Sequence, residues 1–160
     1  MTTAHDITDK SNASDAALTH ALAERFVAAY ENRDGLLPAS LEAMYTEDVC
    51  FEDPAHAIQG RTEFLRYFNQ LIADLGDCRF KFHRVICQDN DIFLAWTLFF
   101  THRNLAGGEV IRVEGATLAK TRGGRIYFHR DYFDLGAMLY EHVPLLGPVV
   151  SHFKRKLGKR

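Results

Sequence analysis

Downstream of Gly76 the chain changes its period. Before that point apolar residues recur every three or four positions. Beyond it they alternate or run together in four stretches, Arg79–Cys87, Ile92–His102, Glu109–Thr121 and Ile126–Leu135. Period two is the spacing of a strand and 3.6 that of a helix. Ala106-Gly107-Gly108 and Gly123-Gly124 turn the chain between the last three stretches, so these are antiparallel hairpins and not strand–helix–strand units. Ile92–His102 is almost continuously apolar, which predicts a central strand covered on both faces. Helices followed by a run of long strands is an α+β order.

The helical half divides into three. Ser14 or Asp15 caps a first helix, with Leu18, Leu22, Phe26 and Tyr30 on one stripe beside Ala21 and Ala29, and residues 1–14 ahead of it read as disordered. Asn32–Gly35 ends it. Pro38 opens a second helix, Ala39–Tyr45, facing Leu41, Met44 and Tyr45 inward. The third, Arg61–Leu75, carries Phe64, Phe68, Leu71, Ile72 and Leu75 at helical spacing, and Gly76 is placed as its left-handed terminator. Twelve Phe, six Tyr and one Trp supply the bulk for a sheet that curls around this helix.

Two strands carry the chemistry. In the last one, alternation groups Tyr127, His129, Asp131 and Phe133 against Ile126, Phe128, Arg130 and Tyr132. Either face can be the buried one on this pattern alone. If the first is, an imidazole and a carboxylate sit between aromatics, and a buried acid needs a partner. The short strand Val49–Asp53 puts Val49, Phe51 and Asp53 on one face before Pro54 stops it. Asp53 reads as a carboxylate on the Phe51 face of an apolar cleft or as the cap of the Pro54 turn. Asp131 reads as its partner or as a fold-stabilising acid, and His129 as a proton carrier or a satisfied core histidine. The eight histidines are scattered without zinc or iron spacing, the Gly pairs are turns and not phosphate loops, and no nucleophile motif stands out. No metal and no cofactor is expected.

Charge separates the tail from the body. Lys154, Arg155, Lys156, Lys159 and Arg160 carry +5, so a net charge of −2 leaves −7 for the rest. A body this acidic offers no face for nucleic acid. Residues 144–160 form a basic amphipathic tail with Val149, Val150, Phe153 and Leu157 on one stripe. Two placements stay open for it: peripheral contact with an anionic membrane, or packing over the body with Leu145, Leu146 and Val149 as a lid. Three cysteines without a close pair, no signal-peptide pattern and no long apolar run predict a cytoplasmic protein.

Met44-Tyr45-Thr46-Glu47-Asp48-Val49-Cys50-Phe51-Glu52-Asp53-Pro54, then Gly60-Arg61, then Gly124-Arg125-Ile126 and His129-Arg130-Asp131-Tyr132-Phe133-Asp134 resemble the SnoaL-like branch of the nuclear transport factor 2-like superfamily. That group includes ketosteroid isomerases, limonene epoxide hydrolases and polyketide cyclases. The resemblance runs from about Ala17 to Met138 and implies a cone, a curved antiparallel sheet wrapped around the N-terminal helices, over residues 15–143. It also implies a deep apolar pocket and a homodimer through the outer sheet face. Asp53 matches the isomerase general base. Phe26 stands where those enzymes have an oxyanion tyrosine, and Thr117 or Ala116 where they have a protonated aspartate. Asp131 matches the acid of the epoxide hydrolase relay, whose other members are replaced here by apolar residues or threonine near Thr97–Phe100. The expectation is therefore cofactor-independent proton transfer, of isomerase or cyclase type, on an apolar carbonyl compound. Asp53, Asp131 and His129 would be catalytic, and Phe26, Tyr30, Phe51, Phe68, Thr117, Phe133 and Met138 would contact the substrate. The rival expectation is a non-catalytic binder of a hydrophobic lipid- or steroid-like molecule.

Overall fold

The structure, a computed structural model, describes residues 4–32 and 38–157, with side chains from Ser14 onward except that of Pro38. Three helices, α1 (Ala4–Glu31), α2 (Pro38–Met44) and α3 (Arg61–Asp74), precede or interrupt the first strands. The strands are β1 (Tyr45–Glu52), β2 (Ala57–Gln59), β3 (Cys78–Gln88), β4 (Asp91–Phe100), β5 (Ile111–Arg122) and β6 (Arg125–Phe133). They form one curved, unclosed sheet in the order β2-β1-β6-β5-β4-β3. From β3 to β6 every pairing is an antiparallel hairpin, as the turn residues predict. The exception to the expected antiparallel sheet is β1, which lies parallel to β6 and brings Phe51 level with His129. A parallel neighbour requires a crossover, here the whole of α3 and β3 to β5.

α1 begins at Ala4 and not at Ser14, so residues 4–13 of the stretch expected to be disordered are helical, while residues 1–3 lie outside the described residues. The expected terminator Asn32–Gly35 falls largely there too. The buried stripe of α1 is Thr19, Leu22, Ala23, Phe26, Ala29 and Tyr30; Leu18 and Ala21 are exposed. Thr19 takes the place foreseen for Leu18 because its hydroxyl meets that of Thr121 at 2.8 Å. Leu18 instead lies beside Gly124 in the β5–β6 turn. On α3, Phe64 and Phe68 are buried as the periodicity predicts. Leu75 is extended at the helix end, so Gly76 is not a left-handed terminator. An added Cβ on Gly76 would lie 2.6 Å from Thr101 Oγ1, and that close approach is what requires glycine. The left-handed glycine of this helix is at its start, Gly60, with φ 90°.

Two bulges reset the strand faces. On β6, Lys120 pairs with Phe128 and Thr121 with Ile126, leaving Tyr127 extra. Ile126 therefore joins His129 on the buried face. Tyr127, expected beside His129, lies half-buried under the Arg122 guanidinium. On β3 the extra residue is His83, after which Val85 and Cys87 face α1 and Ile86 turns outward. Unbroken alternation would have kept Ile86 on the side of Phe80 and Phe82, against Arg79, Lys81 and His83. A bulge inserts one residue against none on its partner and so inverts the alternation beyond it. The outer sheet face shows Ile86, Phe93 and Tyr132 to solvent.

Beyond β6, Asp134 caps the short helix α4 (Leu135–Met138), accepting from the backbone N–H groups of Gly136 and Ala137. A single 3₁₀ turn, Tyr140–His142, leads to α5 (Leu146–Leu157). No helix among the described residues is long and apolar enough to cross a membrane.

Candidate active site

The concave face of the sheet, α1 and α3 enclose a chamber of about 60 Å³. Phe26, Tyr30, Phe51, Asp53, Phe68, Thr117, His129, Asp131, Phe133 and Met138, all singled out from the sequence, line it, together with Tyr67 and Trp96. A second space of about 250 Å³ opens beside it, and the two share Asp53, Tyr67, Leu71, Phe133 and Met138 as their dividing wall. The hollow that the resemblance implies is divided here between an inner chamber and a larger vestibule. Leu145, Leu146 and Val149, the expected lid, line neither space and are exposed.

Six side chains from five elements form one hydrogen-bonded chain through the chamber wall. Tyr30 and Tyr45 hydroxyls meet at 3.2 Å, and Tyr45 reaches His129 Nδ1 at 2.9 Å. His129 Nε2 lies 2.9 Å from Asp131 Oδ1. Thr117 donates its hydroxyl to the same Oδ1 at 2.5 Å and accepts from Trp96 Nε1 at 2.9 Å. One proton arrangement satisfies all of them with a neutral imidazole: Tyr30 donates to Tyr45, Tyr45 to Nδ1, and Nε2–H to the Asp131 carboxylate. Every donor in the chain then points toward Asp131. Among the described residues both of its bonds fall on Oδ1, which leaves Oδ2 for whatever enters. His129 is 2% exposed with both ring nitrogens engaged, so it reaches an occupant only through Asp131.

Asp53 sits at the wall in a different setting. Its Oδ1 accepts from the backbone N–H groups of Ala55 and His56, both at 2.7 Å, capping the turn that Pro54 begins. His56 Nδ1 lies 3.1 Å from both carboxylate oxygens, and Tyr67 donates to Oδ2 at 2.8 Å. The hydrogen bonds show the turn-capping reading of Asp53, and the same carboxylate also lines the chamber. Asp53 and Asp131 share the chamber but no hydrogen-bond partner.

Burial pushes the Tyr30 and Tyr45 phenols above their ordinary value of 10.0. Burial, reinforced by the Asp53 carboxylate, does the same for Tyr67. All three remain protonated donors near neutrality. Tyr67, Trp96 and the polar role of Tyr45 are missing from the sequence reading. Tyr67 had a signal, three residues after Phe64 on the inward stripe of α3; Trp96 sits in a stretch so apolar that no single residue stands out. Among the described residues no three His, Cys, Asp or Glu gather to hold a metal ion.

Known proteins share this architecture. A family model described as a SnoaL-like domain matches residues 23–129. A search of curated proteins finds no match. Among solved structures, a Catenulispora acidiphila protein with a ketosteroid isomerase-like fold, crystallised with trimethylamine, superposes with TM-score 0.64 at 18% identity, covering 74% of this chain and 88% of that one. A Jannaschia protein named provisionally as a SnoaL-like polyketide cyclase gives 0.64 at 14% identity over the same shares. An LEH-like epoxide hydrolase from M. tuberculosis gives 0.63 at 20%, covering 86% and 97%. At these identities the likeness establishes the fold and leaves the chemistry to the site. With the family model spanning most of the six-stranded cone, the chain belongs to the SnoaL-like domain family, in the nuclear transport factor 2-like fold.

Proposed function

We propose that the protein is an enzyme of cofactor-independent proton transfer, isomerase- or cyclase-like, acting on an apolar molecule with a carbonyl group. The observation that carries this reading is the Asp131 carboxylate, held at Oδ1 by His129 and Thr117 with Oδ2 unclaimed in an aromatic chamber. A carboxylate fixed at one oxygen presents the other in a single orientation, which is what abstraction of a proton beside a carbonyl needs. Oδ2 takes that proton, the carbonyl oxygen gains the charge, and the protonated Asp131 returns the proton to another carbon. Tyr67, kept protonated and standing at the wall, would serve as the donor to the developing oxyanion by turning its one O–H from Asp53 Oδ2, leaving that carboxylate to His56 and the turn. His129 positions Asp131 and does not touch the substrate. Asp53 shares the wall as the second carboxylate.

The reading is tested by deuterium exchange beside the carbonyl of small cyclic ketones and enones, followed by NMR. Wild-type protein should exchange label, and Asp131→Asn should lower the rate about 100- to 10,000-fold, the usual worth of a general base. Equal exchange in both would refute the assignment. A second reading, a binder of a hydrophobic lipid- or steroid-like ligand, is favoured by the apolar lining and by Asp53, whose oxygens are already engaged. It predicts a ligand retained in native mass spectrometry and no exchange. Trp96, the single tryptophan, lies in the chamber wall and reports occupancy by its fluorescence under either reading.

A further inference from the structure

α5 is mounted the wrong way round for a helix of a freely soluble protein. An amphipathic surface helix ordinarily buries its apolar stripe and shows its charges to water. Here the face against the body is Gly147, Val150, Ser151 and Lys154, at helical spacing. Gly147 lies so close to the 3₁₀ turn that a Cβ would fall 2.2 Å from the Glu141 carbonyl oxygen. Lys154 is tied to both Asp134 and Glu141. Those charged contacts seat the helix on α4 and the 3₁₀ turn, and they turn Leu146, Val149, Phe153 and Leu157 outward. Val149 is 50% exposed, Phe153 59% and Leu157 84%, with Leu145 at the helix start 89% exposed.

The surroundings of that stripe select its occupant. From His142 to the last residue there is no Asp or Glu, while Arg155, Lys156, Lys159 and Arg160 add four positive charges besides the engaged Lys154. An apolar stripe edged by cations fits the boundary of an anionic bilayer, where the stripe enters the acyl region and the cations stay among the headgroups. We propose that α5 docks the protein on an anionic lipid surface. The Lys154–Asp134 contact ties α5 to α4, whose Leu135 and Met138 wall the vestibule. Docking therefore sets the vestibule wall beside the lipid, a placement suited to an apolar ligand that partitions into membranes. The docking itself does not depend on the reading of the chamber.

The test is co-sedimentation of the full chain with phosphatidylcholine vesicles, with and without phosphatidylserine. Binding should require phosphatidylserine and should fall steeply at about 0.5 M salt, where screening extends only ~4 Å. Val149→Glu with Phe153→Glu, and separately Arg155→Glu with Lys156→Glu, should each reduce binding at least tenfold, since each neutralised cation alone is worth roughly fivefold. Because these residues are exposed, the melting temperature should not move. The proposal is overturned if wild-type protein ignores phosphatidylserine vesicles, or if the Val149→Glu/Phe153→Glu protein binds them as well as wild type. It is equally overturned if that variant melts sharply lower, which would mean that the face packs within the fold. A halving of the sedimenting mass in the variant would also overturn it, because the face would then join two copies.

Discussion

Replacing Tyr45 by Phe tests the buried hydrogen-bonded chain at its centre. The Tyr45 ring is fully buried, and its hydroxyl is the link between Tyr30 and His129 Nδ1. Without it, two groups lose a partner where water does not reach: Nδ1 of a ring 2% exposed, and the Tyr30 hydroxyl in a side chain 5% exposed. Each stranded polar group costs about 1–3 kcal/mol, so with two stranded Tyr45→Phe should destabilise by about 2–6 kcal/mol. Tyr30→Phe removes the end of the chain instead. Tyr45 still donates to Nδ1 and no group is left without a partner, so its cost should be about 0.5–1.5 kcal/mol, that of one ordinary hydrogen bond. Adding Tyr30→Phe to Tyr45→Phe deletes one of the two stranded groups, so the double variant should be no less stable than Tyr45→Phe alone. Urea unfolding at neutral pH, with midpoints compared at constant slope, measures all three. Costs that simply add in the double variant, or a Tyr30→Phe as damaging as Tyr45→Phe, would refute the chain as described.

Stability should also fall in base, and the sign is fixed by the three phenols. Tyr30, Tyr45 and Tyr67 hold their protons in the folded state above the ordinary value of 10.0, so folding is unaffected by them below about pH 10. Above it the unfolded chain sheds protons that the folded one keeps, and stability is lost as pH rises further; a melting temperature flat from pH 9 to 11 would contradict this. Gly115→Ala should destabilise by about 1–3 kcal/mol by overpacking and shift the Trp96 fluorescence, because an added Cβ would fall 2.2 Å from the indole ring. Pulling the indole off Thr117 should also slow the deuterium exchange proposed for Asp131. The outer sheet face, with Ile86, Phe93 and Tyr132 exposed, should pair two copies, so sedimentation at micromolar concentration should give about twice 18.2 kDa. A clean monomer would show that this face is solvent-facing.

Much of the architecture is local information. The change of period at Gly76, the glycine turns and the phenylalanines of α3 each act within a few residues, so strands β3 to β6 and the helix they wrap are legible one segment at a time. The acidic body and basic tail are likewise plain in the composition, as is the pairing of His129 with Asp131 two residues apart on one strand face. What tertiary structure decided is everything that depends on register. The bulges at Tyr127 and His83 exist only where two strands meet, and they chose which residues of β6 and β3 face the chamber. The parallel seating of β1 beside β6 brought Tyr45 to His129 across 84 residues of chain and set Phe51 level with that same ring. Trp96 became part of the site for the same reason, since an indole in an apolar run carries no sign of its partner until the partner is folded against it; Thr117, singled out by the resemblance, gained its partners only there. The outward stripe of α5 belongs here too. Its amphipathic pattern is written in the sequence, but which side faces the body was decided by Lys154 finding Asp134 and Glu141, residues on elements that only the fold brings beneath it.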